Sequence, residues 1–212
     1  MVGEPMKVIK LRGAGEALGG RNMLSAIPGE DLPYQAEIRP IGLGTYAESV
    51  ADARRRLREV DAEGEDYVLT AYSLGAAAAG DFVQYDRPRH CKGVVLLSDP
   101  KRHANQVSHK GVAAGRWGIA GQRFIDRVPC YSYTIPDDPI SALPGDNGMR
   151  QIAQQVTGLM QPLPARWWDA GFTLHWLLKY TTHGRHTAYP TERINGVSYL
   201  QSVKAMVEGL TR

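Results

Sequence analysis

Cysteine, long apolar runs and surplus charge are all scarce in this 212-residue chain. The only cysteines are Cys91 and Cys130. Two are too few for a disulfide-built scaffold, and no Cys/His spacing resembles a zinc site. Each precedes an expected strand. Parallel neighbouring strands could bring them together, but two buried thiols are the expectation for a chain without an export signal. No run reaches the ~18 consecutive apolar residues of a membrane span, so no transmembrane segment is expected. The first ten residues carry no apolar core of a secretory leader, which predicts synthesis in the cytoplasm and release by some other agent if the protein acts outside. Net charge is only +3. The densest basic cluster, Arg54, Arg55, Arg56 and Arg58, lies on a helix whose apolar positions are Val50, Ala53, Leu57 and Val60. It reads as a solvated face, and no motif supports nucleic acid as a partner. A weak attraction to an anionic cell envelope is equally compatible.

Apolar residues make up 43% of the chain, enough for a substantial core. The length suits one α/β domain spanning residues 1–212. Residues 7–11 alternate and read as a first strand, followed by the small-residue loop Arg12-Gly13-Ala14-Gly15-Glu16. Neither dinucleotide nor P-loop spacing is completed there, so no nucleotide cofactor is expected. Residues 35–41 read as a second strand and residues 46–62 as a helix with 3-4 apolar spacing. Further strands are expected at 68–70, 92–100 (ending in Asp-Pro) and 129–135, with a helix after Ser73 running to about Tyr85. Residues 101–123 read as a long loop. Strands alternating with helices predict a doubly wound, mostly parallel sheet, with its ligand site at the strands' C-terminal ends.

One turn stands at such an end. Ala71-Tyr72-Ser73-Leu74-Gly75 follows a strand, precedes an alanine-rich helix and is close to the Gly-x-Ser-x-Gly nucleophile elbow. The elbow needs small residues because strand and helix nearly touch. It presents the serine hydroxyl beside the helix N-terminus, where backbone N–H groups and positive potential suit an oxyanion. The rival reading is an ordinary strand-to-helix turn. A serine hydrolase on such a sheet orders its triad Ser, acid, His. Asp138 follows the last strand and is preferred as the acid; Asp99, at a neighbouring strand end, is the alternative. Three histidines come later. His175 falls within an apolar, aromatic helix, whereas His186 and His183 lie in a polar loop able to reach over a serine. His186 is preferred and His183 is the runner-up.

Four segments, in order, resemble the cutinase superfamily of α/β-hydrolases. Arg12-Gly13-Ala14-Gly15-Glu16 is similar to its Arg-Gly-x-x-Glu loop, and Ala71-Tyr72-Ser73-Leu74-Gly75-Ala76 to its Gly-Tyr-Ser-Gln-Gly-Ala elbow. Asp138-Pro139-Ile140-Ser141 resembles Asp-x-Val-Cys around the acid, and His186-Thr187-Ala188-Tyr189 resembles His-x-x-Tyr. The resemblance implies a three-layer sandwich with the triad Ser73, Asp138 and His186, and an oxyanion hole from the backbone N–H groups of Ala14 and Leu74. Leu74 replaces a Gln and Ala14 a Ser found in some cutinases, so only backbone donors remain. Ser141 stands where secreted cutinases carry a half-cystine. In all, 47 residues separate Asp138 from His186, and much of the stretch at about 145–182 reads as helix (149–160 and 166–180). That helical insert resembles the phage lysin B enzymes, as does Asp99-Pro100-Lys101-Arg102.

The lysin B resemblance implies a serine esterase that cuts the ester between mycolic acid and arabinogalactan in mycobacterial-type envelopes during phage lysis. It implies no metal or cofactor, and a lipid-ester substrate at the outer envelope as the partner. Trp167, Trp168 and Phe172 in the insert are expected as acyl-chain contacts, although packing of the insert onto the core is the preferred account of most of its apolar residues. A general cutinase-like carboxylesterase or lipase, and a catalytically idle hydrolase-fold module that binds the envelope, are the alternatives. Oligomeric state is not encoded in any motif.

Overall fold

A computed structural model describes residues 6–212. Five parallel strands form the central sheet in the order β2-β1-β3-β4-β6: β1 is Lys7–Leu11, β2 Glu30–Asp31, β3 Tyr67–Tyr72, β4 Cys91–Leu97 and β6 Cys130–Tyr133. β1 and β3 pair from Lys7↔Tyr67 to Leu11↔Ala71, and β3 pairs with β4 up to Tyr72↔Leu97. The strands therefore end level, and the loops that follow β1, β3, β4 and β6 meet above one edge.

Helices cover both faces. α1 (Tyr46–Ala62) and α2 (Leu74–Asp81) pack on one, closing a core with Ile9, Leu11, Leu57, Leu69 and Leu96. α5 (Tyr199–Leu210) covers the other, where Val203 and Val207 meet Val95, Leu97 and Ile135. α1 spans the expected residues because its start is locally specified. Thr45 accepts from the Glu48 N–H and Glu48 reaches back to the Thr45 N–H, a capping box. Each arginine of the basic run meets a carboxylate: Arg54 and Arg58 bind Asp86, Arg55 binds Asp52 and Glu59, and Arg56 binds Asp52. α2 passes into one wider turn at Phe82–Asp86.

Residues 35–41 are not a strand. The chain there is extended, but side chains of α1 take its backbone groups. The Gln35 N–H donates to Asp52 Oδ2 (2.8 Å), and the Ser49 hydroxyl donates to the Glu37 carbonyl (2.6 Å). The strand beside β1 is instead the short β2, with Ile9 opposite Glu30. Cys91 and Cys130 are free thiols. Cys130 sits opposite Val94, three residues along from Cys91. That offset is about 10 Å, beyond disulfide reach.

Between β6 and His186 the chain forms β7 (Leu143–Pro144), paired antiparallel with β5 (Arg116–Trp117), then α3 (Met149–Thr157) and α4 (Ala170–Thr181). α4 begins at Ala170 because Asp169 caps it, accepting from the Phe172 N–H. Trp167 and Trp168 therefore precede the helix, where a helix from 166 was expected. Leu143, Met149 and Trp176 form a small core of their own under α3 and α4. A hairpin of β8 (Arg193–Ile194) and β9 (Val197–Ser198) leads into α5. No helix among the described residues is long and apolar enough to cross a membrane.

Candidate active site

β3 ends at Tyr72, and α2 begins at Leu74. Ser73 alone makes the turn, with φ 54° and ψ −120°. A non-glycine residue there is strained, and such strain concentrates at functional sites. The turn is held from both sides. The Ser73 N–H donates to the Leu97 carbonyl (3.0 Å), and the Ala77 N–H donates to the Ser73 carbonyl (3.1 Å). Gly75 is required: a Cβ there would lie 2.4 Å from the Leu11 carbonyl oxygen and 2.6 Å from that of Arg12. β1 thus runs against the first turn of α2, which brings the Gly13–Glu16 loop beside Ser73.

That loop is shaped by its own side chains. Glu16 accepts from the N–H groups of Gly13 (2.6 Å) and Met23 (2.7 Å). Arg12 donates to the carbonyls of Glu16 and Tyr34 (both 2.7 Å). The Gly15 N–H goes to the Ala36 carbonyl (2.8 Å), whereas the Ala14 N–H has no partner among the described residues. The Leu74 N–H, in the first turn of α2, has no intrahelical partner either. Ala14, Ser73, Leu74 and His186 all line one cavity.

Ser73 Oγ lies 2.9 Å from His186 Nε2. His186 sits in a single 3-10 turn, Arg185–Thr187, and is buried. Tyr72 holds it, donating from its hydroxyl to the His186 carbonyl (2.8 Å) and stacking on the imidazole at 5.1 Å between centroids. On the far side, His186 Nδ1 is 3.3 Å from Asp138 Oδ2 and 2.9 Å from Ser98 Oγ. Asp138 is fully buried. It accepts from Tyr189 (2.5 Å), Ser141 (2.9 Å), Ser98 and, at Oδ1, the Ile140 N–H (2.9 Å). Burial alone would raise its pKa. The charge of His186 and hydrogen bonds from His186, Ser98 and Tyr189 outweigh that and bring it to about 2. The carboxylate is therefore ionised, and its neighbours point their protons at it.

The rival residues lie elsewhere. Asp99 is buried in an ion pair with Arg123 (2.6 Å), which also binds Asp81 (2.9 Å). Burial raises the Asp99 pKa and the Arg123 charge opposes that rise. His183 and His175 are exposed.

The cavity above Ser73 holds about 300 Å³ and is almost wholly apolar. Ile38, Pro40, Ile41 and Ile140 form one wall; α3 forms another with Met149, Ile152, Ala153 and Val156. These four fall at i, i+3, i+4 and i+7, one helical face. Leu177 and Tyr180 of α4 close the side. The expected aromatic contacts are not among the lining. Trp167 and Trp168 are 58% and 67% exposed, and Phe172 packs under the Arg166 guanidinium, 4.0 Å from its centroid. Phe172 lines a different cleft with Trp117 and Trp176. Sequence reasoning missed the α3 stripe, although its spacing was present to be read. It also missed Ser98, which carries no local motif, and gave Tyr189 of the His-x-x-Tyr segment no role, although its hydroxyl donates to Asp138.

Neither a protein-family model nor a curated protein matches the chain. Solved structures do match, over nearly full length. The lysin B of Mycobacteriophage D29 aligns with 96% of this chain and 99% of its own at 14% identity, with a TM-score of 0.56. An acetylxylan esterase aligns over 98% and 99% at 17% identity and TM-score 0.59. A cutinase-like protein from Cryptococcus sp. aligns over 97% and 92% at 16% identity and TM-score 0.56. With its parallel sheet flanked by helices and its serine elbow after β3, the chain has the cutinase-like α/β-hydrolase fold.

Proposed function

We propose that the protein is a serine carboxylic-ester hydrolase acting on esters of apolar acids. The observation that carries this is the 2.9 Å contact between Ser73 Oγ and His186 Nε2 on the floor of an apolar cavity. His186 Nε2 takes the Ser73 proton as Oγ attacks the ester carbonyl. The N–H groups of Ala14 and Leu74 stabilise the oxyanion. His186 then returns the proton to the leaving alcohol. Water, activated by the same imidazole, releases the acid from Ser73. Asp138, fixed by four neighbours besides His186, orients the ring and stabilises the imidazolium. The acyl chain lies against Ile140, Met149, Ile152 and Val156.

The finer reading is hydrolysis of the ester between mycolic acid and arabinogalactan during phage lysis. It is supported by the helices between Asp138 and His186 and by the fold likeness to a mycobacteriophage lysin B. A general carboxylesterase is the second reading, supported by the equal likeness to an acetylxylan esterase and a cutinase-like protein. The test is release of free mycolic acid from purified mycolyl-arabinogalactan, beside acetylated xylan and p-nitrophenyl butyrate. The wild type should release mycolic acid, and Ser73→Ala should lose about 10⁴-fold or more on every ester. Cleavage of the small esters alone would favour the second reading. Normal turnover by Ser73→Ala would remove Ser73 as nucleophile. Failure of a serine-reactive phosphonate to label the wild type would leave an idle, envelope-binding module.

A further inference from the structure

We propose that Ser98 is a positioning residue for His186. Its hydroxyl bridges His186 Nδ1–H to the Asp138 carboxylate and holds the imidazole as the Nδ1–H tautomer, leaving Nε2 free to accept the Ser73 proton. The inference rests on the esterase reading above.

Ser98 is the first residue after β4, wholly buried, and has φ 54°. A serine pays strain there that glycine would not. Its side chain has one proton and two acceptor sites. The ionised Asp138 can only accept, so the Ser98 proton goes to Oδ2. The remaining lone pairs of Oγ face His186 Nδ1 at 2.9 Å, closer than the 3.3 Å from Nδ1 to Asp138 itself. Only a protonated Nδ1 suits both oxygens. Asp138 does not need Ser98 to stay in place, because Tyr189, Ser141 and the Ile140 N–H hold it. The partner that depends on Ser98 is the histidine.

The backbone around Ser98 is pinned as such a role requires. The Ser98 N–H donates to the Tyr133 carbonyl (2.9 Å), tying β4 to β6 at its end. The next residue, Asp99, is locked by Arg123 and by the Lys101 N–H (2.9 Å). The buried Asp99–Arg123 pair thus fixes the hydroxyl at one remove.

Besides Ser98, the groups facing the imidazole are Ser73 and Tyr72 from the β3 end, Asp138, and Tyr180 from α4, whose ring is 5.8 Å away. Asp137, next to Asp138, is paired with Lys179 and Arg185. Burial raises the pKa of both tyrosines, so they carry no charge beside the imidazole.

The experiment uses Ser98→Gly and Ser98→Ala in the full chain, with kcat and KM on p-nitrophenyl butyrate across pH and ¹⁵N NMR of the His186 ring. Glycine relieves the positive φ, so Ser98→Gly keeps the fold testable if Ser98→Ala fails to fold. In the wild type the neutral ring should be the Nδ1–H tautomer, and in the variants a mixture. The variants should lose about ten- to a hundredfold in kcat, with KM changed by less than about twofold. The acid limb should move to lower pH because the imidazolium loses an acceptor. A folded Ser98→Gly with wild-type kcat, acid limb or tautomer would overturn the proposal. The NMR reading needs no turnover. A wild type that cleaves no ester but shows a Ser98-dependent tautomer would sink the esterase reading and leave the bridge standing.

Discussion

The apolar cavity makes a quantitative demand on substrate choice. On the proposed acyl site, chains lengthened from acetate through butyrate to octanoate should place successive methylenes against Ile140, Met149, Ala153 and Leu177, which line the cavity. Each methylene taken from water is worth about 0.8 kcal/mol, or about fourfold in kcat/KM. Butyrate should therefore exceed acetate by about fifteenfold. The slope should hold until the chain reaches Ile152 and Val156, which are half exposed at the mouth, and then fall to roughly half because emerging methylenes are buried on one side only. Because the chain is buried equally in bound ester and transition state, the gain should appear mainly in KM. The assay is a p-nitrophenyl ester series kept below the micellar range. A second arm is Ala153→Phe, which sets a ring into the cavity from the buried face of α3. It should erase the octanoate advantage and leave acetate turnover within about threefold. A flat series, or one that peaks at acetate, would refute the assignment of this cavity to the acyl group and would fit an acetyl-ester hydrolase instead.

Gly75→Ala would force its Cβ onto the carbonyl oxygens of Leu11 and Arg12. We expect a loss of about 2 kcal/mol or more, read from urea midpoints, and a larger loss of esterase rate. A wild-type midpoint and rate would show that β1 yields freely. The Asp138 carboxyl is held at about 2, below its ordinary 3.8, by His186 and its hydrogen bonds in spite of burial. A lowered folded-state pKa stabilises the fold above the unfolded value, so about 2 kcal/mol should vanish as pH falls from about 4 to about 2. Asp138→Asn should flatten that window in urea titrations, and an unchanged pH slope would contradict the assignment. Arg123→Met strips the counter-charge from Asp99 and part of that from Asp81. It should cost about 3–5 kcal/mol, measurable by denaturant unfolding, and a loss under about 1 kcal/mol would mean that Lys101 and solvent suffice.

How much was legible in the sequence depended on whether a feature was specified locally. α1 was readable because the Thr45–Glu48 box and the Val50, Ala53, Leu57 stripe lie within it. The elbow was readable because Ala71 and Gly75 flank Ser73 within five residues, although what keeps Gly75 small is the distant chain at Leu11 and Arg12. Residues 35–41 misled for an instructive reason. Their alternation belongs to the chain just before: Leu32, Tyr34 and Ala36 are buried while Pro33 and Gln35 are exposed, and residues 39–41 are all exposed. Period two reports an extended chain with one buried face. It does not say whether the backbone bonds to a strand or, as here, to Asp52 and Ser49 of a helix. Trp167 and Trp168 misled through bulk. They stand outside α4 because Asp169 is its cap, and the smaller aliphatics of α3 form the wall instead.

Ser98 marks a different boundary. Its neighbours in the chain, Leu97 and Asp99, read as the end of a buried strand and a turn acid. Nothing within five residues distinguishes its hydroxyl from that of any strand-end serine. What distinguishes it is the level at which β4 ends beside β3 and β6. The Ser73 N–H donates to the Leu97 carbonyl and the Ser98 N–H to that of Tyr133, so the two serines are fixed on adjacent strands by the same ladder. A one-residue slip between β3 and β4 would turn every side chain to the opposite face and separate Ser98 from His186. The parallel sheet therefore sets the hydrogen-bond chain from Ser73 through His186 and Ser98 to Asp138, and the buried Arg123 ties the end of β4 to α2 through Asp99 and Asp81.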